Sequence, residues 1–476
     1  MVHAGRLPEL LLFCLAFVLG STGNPAIESS DLATNYISFC ESMLGHVLGW
    51  GTIDAVRILF LLALTLRWRD KITSAWPLAG LCASIAQVLG IDRQRPHGRR
   101  SPEVISEEAD QERRRVWWCI YSFEKLFAFE LGRPSAISDA DHDQLEPTRV
   151  LREENDVDFF HVVIGLARTL SEVSRRSIEA RTKEELAGRE GLENAIRFKV
   201  TTTGELVLLM MQWAESLPKN LKPTSDMLCE PAEFRVAAFI SIQYHSAMIM
   251  LLRNTFLVSD EAIRNAIEEY AAGKPWHNVT CNGQTIAANS ARSIVRILIE
   301  GHDRGFRPVL HTTTAPLHVL SVLSVHLIRH PTSRLADSDL SLIHNAGEFA
   351  VEKYESIAKD KRRVQGIVQL LENEVIRIVA AAQPKVMARS STTGTSSDVD
   401  NFTGRSHSTD NAGVASNQSP QAFSQGYGSM STHLMDLSTA ISMPMPVLDV
   451  AWSPALADEI GWDWGDFSQL FTGPPI

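Results

Sequence analysis

The sequence is poor in the residue patterns that support catalysis or metal binding. It has no phosphate-binding glycine loop, no G-x-S-x-G motif and no C-x-x-C pair. His326 and His330 share a helix face, but Leu327 stands where the H-E-x-x-H pattern needs glutamate. We therefore expect no catalytic residue, no metal site and no cofactor in this chain, and no enzymatic activity. Its six cysteines are Cys14, Cys40, Cys82, Cys119, Cys229 and Cys281.

The cysteines and the aspartates have simpler interpretations. Cys82 and Cys119 fall among apolar helix positions, which predicts buried, reduced thiols and favours a reducing compartment.

The alternating aspartates from Asp139 to Asp143 do not form a calcium loop, because the glycine and the bidentate glutamate that such a loop needs are replaced by Gln144 and Val150. We expect these aspartates to line a turn or to pair with arginines such as Arg133.

Positive charge is in deficit. The 45 lysines and arginines face 56 acidic residues, which gives a formal net charge of -11 and a pI near 5.8. Such a chain repels a phosphate backbone, so contact with DNA needs a separate basic element. The run Lys359–Arg363 lies in a predicted helix, where a solvated face is favoured and a nuclear-localisation or DNA-binding patch is the alternative.

The N-terminal segment, residues 1–29, contains an apolar run from Leu7 to Leu19. The run is too short to span a bilayer and contains Glu9, so we expect no membrane insertion. It fits either a first helix or a secretory signal peptide, and the Asn-x-Ser/Thr sequons at Asn278, Asn401 and Asn417 suit the second interpretation. Secretion, or a lumenal location, is the alternative to a nuclear protein.

Helical periodicity extends over residues 30–383. The 476 residues are 45% hydrophobic, enough for one or two sizeable cores. Apolar spacings of three and four predict an all-α, multi-helix bundle or array, with two helices between Ser30 and Arg67 and a late periodic stretch from Glu348 to Ala382. Residues 384–445 are rich in Ser, Thr, Gly and Asn, which predicts a disordered linker.

The chain is organised around residues 112–147. Val116, Ile120, Phe123 and Phe127 predict one buried helix face, beside which three further aromatic side chains add bulk. Gly132 and the proline two residues later predict the end of this helix. The aromatic side chains are Trp117, Trp118 and Tyr121.

This stretch resembles the signature of the fungal-specific transcription factor domain, the helical middle region of fungal zinc-cluster regulators. Glu124-Lys125 stands where the family more often has Asp-Arg, and the resemblance extends over roughly residues 35–300. The signature residues, expected to be structural, are Arg113, Arg114, Arg115, Trp117, Trp118, Tyr121, Gly132, Arg133 and Pro134.

The resemblance implies a nuclear regulator of RNA polymerase II transcription, controlling a metabolic or biosynthetic gene set. Family members bind DNA through an N-terminal zinc cluster, which the scattered cysteines of this chain do not form. Zinc and DNA binding are thus expected only if such a cluster is encoded upstream, and otherwise the protein acts as a DNA-independent partner. Coactivator or corepressor proteins, a homodimer and a small-molecule effector are the other implied partners.

Residues 446–476 combine acidic and aromatic side chains. Acidic neighbours keep aromatic side chains solvated and available to a coactivator groove, which is typical of an acidic transactivation segment. The alternative is that the tryptophans dock back on the helical domain. The candidate activation residues are Trp452, Trp462, Trp464, Phe467, Leu470 and Phe471.

Overall fold

The computed structural model describes most of the chain as far as residue 390. The described ranges are 6–21, 31–69, 71–94, 106–149, 158–188, 192–223, 229–231, 233–256, 260–305, 314–357 and 361–390. Within these ranges the regular structure is helical and no strand occurs, so the all-α prediction is confirmed.

Fifteen α-helices form the described part of the chain. Two short 3₁₀ segments, Lys219–Leu221 and Arg253–Phe256, accompany them. The helices are α1 (Leu7–Gly20), α2 (Asp31–Ser42), α3 (Leu44–Gly49), α4 (Ile53–Trp68), α5 (Ile72–Val88), α6 (Glu107–Leu131), α7 (Phe159–Gly188), α8 (Leu192–Glu215), α9 (Phe234–Leu252), α10 (Asp260–Tyr270), α11 (His277–Cys281), α12 (Gly283–Asp303), α13 (Thr314–Arg329), α14 (Ala336–Ile357) and α15 (Lys361–Ser390).

Two large hydrophobic cores hold these helices together. The first core is built by α1 to α6 and receives Ile164 and Ala167 from α7. The second core is built by α7 to α9 and α12 to α15, and receives Leu126 from α6. Helices α6 and α7 therefore contribute side chains to both cores.

Helix α1 is an integral part of the first core. Leu11 and Leu15 have no exposed surface, and Val18 is buried beside them. The Cys40 thiol of α2 approaches the Leu11 carbonyl oxygen at 4.0 Å. The segment that resembles a signal peptide in sequence thus packs as a helix of the bundle.

Several helix boundaries differ from the expectation. Three helices, not two, lie between residues 31 and 68, because the short α3 separates α2 from α4. The periodic stretch from Glu348 to Ala382 belongs to two helices, α14 and α15. The basic run expected inside one helix begins in the interval between them, with Lys359 outside the described residues. Helix α15 continues to Ser390, past the expected linker boundary at residue 383.

Cysteine burial follows the prediction at one position and departs from it at another. Cys82 is 1% exposed, and its thiol donates to the Val56 carbonyl oxygen at 3.5 Å. Burial raises the pKa of Cys82 to about 12. Cys119 is only half-buried, because it lies at the edge of a surface groove formed by α1, α4 and α6.

Among the described residues, the stretch Phe234–Phe256 is long and apolar enough to cross a membrane. This stretch contains α9, and 61% of its most apolar window is buried inside the protein. Ala247 and Leu252 belong to the second core. Its hydrophobicity is therefore explained by a central position in the bundle.

A buried ion pair joins α12 to α14. The Arg292 guanidinium donates from Nε to Asp339 Oδ1 at 2.7 Å and from Nη2 to Asp339 Oδ2 at 2.8 Å. Asn289 Oδ1 accepts a third hydrogen bond, from Nη1 at 2.6 Å. The two charged side chains are 8% and 1% exposed, so each is the other's main source of compensation.

Candidate functional site

The candidate site is the signature network, which we define as the signature helix α6, the loop 132–147 and the residues that they contact. The helix begins after Ser106, whose side-chain oxygen accepts a hydrogen bond from Ala109 N at 3.3 Å. It ends at Gly132, which has a left-handed φ of 62°. The amide of Arg133 then donates to the Ala128 carbonyl oxygen at 3.0 Å, which closes the helix end.

Both tryptophans and Tyr121 are among the most deeply buried side chains of this helix. Trp117 and Trp118 are 0% exposed and Tyr121 is 1% exposed, whereas Val116 and Phe123 of the predicted stripe are only half-buried. The stripe does lie on the inner side, but the bulky residues beside it fill the first core. The indole N–H of Trp118 donates to the Leu145 carbonyl oxygen at 2.8 Å and fastens the loop to the helix.

His142 packs among three aromatic rings. Its ring centroid lies 5.4 Å from that of Trp117, 5.5 Å from that of Trp118 and 5.3 Å from that of Tyr121. Burial, and after it the positive charges of Arg168 and Lys125, lower the pKa of His142 despite the opposing charge of Asp139. The neutral imidazole is thus the form that this aromatic environment favours.

Asp139 is the centre of the polar part of the network. The Tyr121 hydroxyl donates to its Oδ1 at 2.8 Å, and the Ser171 hydroxyl donates to its Oδ2 at 2.7 Å. The Lys125 ammonium, 3% exposed, lies 3.1 Å from Oδ1 and also donates to the Ile137 carbonyl oxygen. One carboxylate therefore connects α6, the loop and α7. The expected pairing of this aspartate run with Arg133 is replaced at Asp139 by pairing with Lys125.

The electrostatics of Asp139 fit this role. Burial alone would raise its pKa, but the hydrogen bonds from Ser171 and Tyr121 and the charge of Lys125 outweigh burial and lower the pKa below its ordinary value. The ionised carboxylate is consequently the form that the folded protein stabilises. This stabilisation is present above the unfolded-state pKa and is lost as the pH falls through the lower folded-state pKa.

Glu124 fixes the start of the loop. Its Oε1 accepts a hydrogen bond from Ala136 N at 2.6 Å, and its Oε2 accepts one from the Ser135 hydroxyl at 2.6 Å. Burial raises the pKa of Glu124, although these two hydrogen bonds oppose the shift. The adjacent acidic and basic residues Glu124 and Lys125 thus hold two successive parts of the loop.

Replacing Asp139 by Asn should lower the free energy of unfolding by about 1–2 kcal/mol, because it leaves the buried Lys125 ammonium without its counter-charge. Urea unfolding at neutral pH measures the change. Asp141→Asn is the matched control, since both aspartates are exposed but Asp141 has no ion pair or side-chain hydrogen bond within the described residues. It should change stability by less than about 0.5 kcal/mol. Equal effects of the two variants would contradict the central role of Asp139.

The three signature arginines have different environments. Arg113 Nη2 donates to the Gly90 carbonyl oxygen at 2.6 Å, which ties α6 to the end of α5. Arg114 forms an ion pair with Asp110 at 2.5 Å within α6. Arg115 is exposed. The last signature residues, Arg133 and Pro134, are exposed just after the helix end.

Gln144 is a member of the network that the sequence did not indicate. It is 6% exposed, and its amide nitrogen donates to the Ile91 carbonyl oxygen at 2.7 Å and to the Arg93 carbonyl oxygen at 3.0 Å. A lone glutamine between aspartates and a proline carries no helical periodicity that would indicate burial. Its partners lie more than forty positions earlier in the chain.

The network binds its own residues together and leaves little for a ligand. The carboxylates of Glu124 and Asp139 accept hydrogen bonds from within the protein. No group of three or more potential metal-binding side chains occurs in the described part of the chain. The candidate activation residues, from Trp452 to Phe471, lie outside the described residues. The carboxylates of this network are therefore engaged by partners within the protein.

Comparison with known proteins finds a family model that matches the part of the chain containing this network. The model of the fungal specific transcription factor domain matches residues 16–174, which run from α1 to α7 and include the whole signature network. The match covers less than half of the chain, and residues 16–174 are therefore similar to the fungal specific transcription factor domain. The matched region begins inside α1 and ends in α7, whereas the resemblance was expected over roughly residues 35–300. No solved structure matches the chain.

Three relatives of this chain are named as transcription regulators. An uncharacterized transcriptional regulatory protein of Schizosaccharomyces pombe is 20% identical over 298 residues, 58% of this chain and 34% of the relative. Transcription factor FBD3 of Gibberella moniliformis is 23% identical over 45% of this chain and 28% of its own length. The lactose regulatory protein LAC9 of Kluyveromyces lactis is 37% identical over 114 residues, 23% of this chain and 12% of the relative. The chain thus spans about a third or less of the length of these relatives.

Proposed function

We propose that this chain is the regulatory part of a nuclear transcription regulator of the fungal zinc-cluster family. The observation that carries the proposal is the signature network. Its residues occur in the family's order, and they interlock α6, the loop 132–147 and α7 within the region that the family model matches. A helical domain organised in this way provides a framework for regulation by bound partners.

Each part of the chain would have its own function. Residues 30–383 would form the regulatory domain together with α1, residues 384–445 a linker, and residues 446–476 an activation segment that binds coactivators. Contact with DNA would come through a zinc cluster, if one precedes this chain. Corepressors or a small-molecule effector would act on the helical domain.

The burial of α1 favours the nuclear proposal over secretion. Cleavage of a signal peptide within residues 1–23 would remove Leu11, Leu15 and Val18 from the first core. Each such side chain stabilises the folded state by roughly 1.5–3 kcal/mol, so a processed protein would lose several times that amount. A secreted form would therefore have to fold with a first core that lacks the side chains of α1.

The activation segment is tested by fusing the full chain to an unrelated DNA-binding domain and measuring a reporter gene in a fungal host. We expect activation, and we expect replacement of Trp462, Trp464 and Phe467 by Ala to reduce it about tenfold or more, because aromatic anchors dominate the affinity of such contacts. The matched control replaces Ser453, Ser468 and Thr472 by Ala in the same segment. Reporter output that stays the same after the aromatic replacement would contradict the proposed output segment.

A further inference from the structure

His142 fills a pocket that three aromatic side chains of α6 form beneath the loop. We call this the aromatic pocket and define it by Trp117, Trp118 and Tyr121. The ring centroid of His142 lies 5.3–5.5 Å from the centroids of these rings. The residues on either side of His142 in the chain are exposed. His142 is thus the side chain that attaches an exposed segment to the buried face of the signature helix.

This exposed segment, residues 140–143, lies between two well-bonded residues. On one side Asp139 accepts two side-chain hydrogen bonds, and on the other side Gln144 donates two to backbone carbonyl groups. Between them, the amides of Asp141 and Asp143 donate over the longer distances of 3.2 and 3.3 Å, and one carboxylate oxygen of Asp143 accepts at 3.0 Å. The segment can therefore move outward while its two flanking residues keep the rest of the loop in place.

The buried nitrogen of His142 is not satisfied when the ring is protonated. Nδ1 is buried and has no hydrogen-bond partner among the described residues. The imidazolium carries a proton on both ring nitrogens, so it would place a charged N–H donor at Nδ1 without an acceptor. Such a group loses its hydration and gains no replacement for it, which disfavours the protonated ring inside the pocket.

Four charged groups face the ring, two of each sign, and they oppose one another. They are Lys125 of α6, Arg168 of α7, Asp139 of the loop and Asp92, just after α5. The two bases already lie over aromatic rings that could otherwise hold a cation. Lys125 Nζ lies 5.3 Å from the Tyr121 ring centroid, and the Arg168 guanidinium carbon lies 4.6 Å from that of Trp118. Burial is therefore the decisive influence, and it lowers the pKa of His142 below the ordinary value of 6.5.

We propose that His142 is an acid-sensitive latch: the neutral ring holds residues 140–143 against the aromatic pocket, and protonation releases this segment and opens the pocket to solvent. The latch is fully stabilised above the ordinary histidine pKa, and this stabilisation is lost as the pH falls from 6.5 towards the lower pKa of the closed form. Asp139 keeps its contacts at that pH, because its own pKa lies below the ordinary aspartate value. The proposal does not depend on the transcriptional role, since the release is measured on the purified chain.

Hydrogen–deuterium exchange of the full chain tests the proposal. It is read by mass spectrometry at about pH 7.5 and about pH 5.5, on the two sides of the ordinary histidine pKa, and corrected for the intrinsic exchange rate. We expect the protection of residues 140–143 to fall several-fold at the lower pH, whereas α9 in the second core stays protected. An equal loss of protection in α9 would indicate global unfolding and would contradict a local latch.

Two variants of His142 separate protonation from packing. His142→Phe keeps an aromatic ring in the pocket but takes up no proton, so the protection of residues 140–143 should be the same at both pH values. His142→Lys carries a positive charge throughout this range and should reduce their protection already at the higher pH. His46→Phe is the matched control, because His46 is exposed on α3, and it should keep the pH dependence of the unmodified protein.

Circular dichroism shows whether each variant retains its helical content. Protection that is equal at both pH values in the unmodified protein would overturn the proposal. A folded His142→Phe variant that loses protection to the same extent as the unmodified protein would overturn it as well, and this comparison stands even where His142→Lys does not fold.

Discussion

Replacing Trp117 by Ala should lower the free energy of unfolding by about 3–5 kcal/mol, the range found for large aromatic side chains removed from protein cores. Trp117 is 0% exposed and packs in the first core, so its removal leaves a cavity that the surrounding helices cannot fill. The variant should therefore unfold at a lower urea concentration. Urea unfolding followed by circular dichroism measures this shift.

Two further substitutions serve as comparisons for Trp117→Ala. Trp117→Phe keeps an aromatic ring in the site and should cost less than the alanine variant, because the cavity is smaller. Val88→Ala removes an exposed apolar side chain on α5 and should change stability by less than about 0.5 kcal/mol. An unchanged unfolding midpoint for Trp117→Ala would show that the signature helix does not pack as described.

Replacing Asp339 by Ala should lower the free energy of unfolding by about 3–5 kcal/mol, because it leaves the buried charge of Arg292 without a counter-charge. The guanidinium would retain only its hydrogen bond to Asn289 among the contacts described above. The expected loss is thus comparable to that at Trp117, although its physical origin is an uncompensated charge. The same urea experiment measures it.

A double variant separates the two contributions of this ion pair. Changing Arg292 to Met and Asp339 to Leu together removes both charges and keeps most of the side-chain volume. We expect the double variant to regain most of the stability that Asp339→Ala loses, since apolar replacement of buried pairs is often neutral or stabilising. A double variant as unstable as the single one would show that the pair stabilises through geometry that apolar packing cannot replace.

The sequence predicted those features that depend on neighbouring residues. Helical periodicity identified the helical class and the signature helix, and Gly132 marked its end because the left-handed conformation is a local property of glycine. Periodicity gives the face of a helix but not the depth of each residue on that face. For this reason Val116 was expected in the core, whereas the neighbouring Trp117 and Trp118 occupy it.

Features that depend on distant residues could not be predicted. Arg292 and Asp339 lie on different helices, and Gln144 donates hydrogen bonds to the carbonyl groups of Ile91 and Arg93, just after α5. Such pairs form only after the helices have packed, and one sequence does not specify which faces meet. The pairing of Asp139 with Lys125 instead of Arg133 is a similar case, because either base lies within reach along the chain.

The position of α6 and α7 between the two cores has a consequence for how this chain tolerates substitution over generations. Both helices contribute side chains to both cores, so the two cores share one free energy of folding. The free energy of unfolding of natural domains is only about 5–15 kcal/mol. A mildly harmful change near α14 therefore reduces the number of changes that can be accepted near α1, and compensating substitutions for one half can arise in the other.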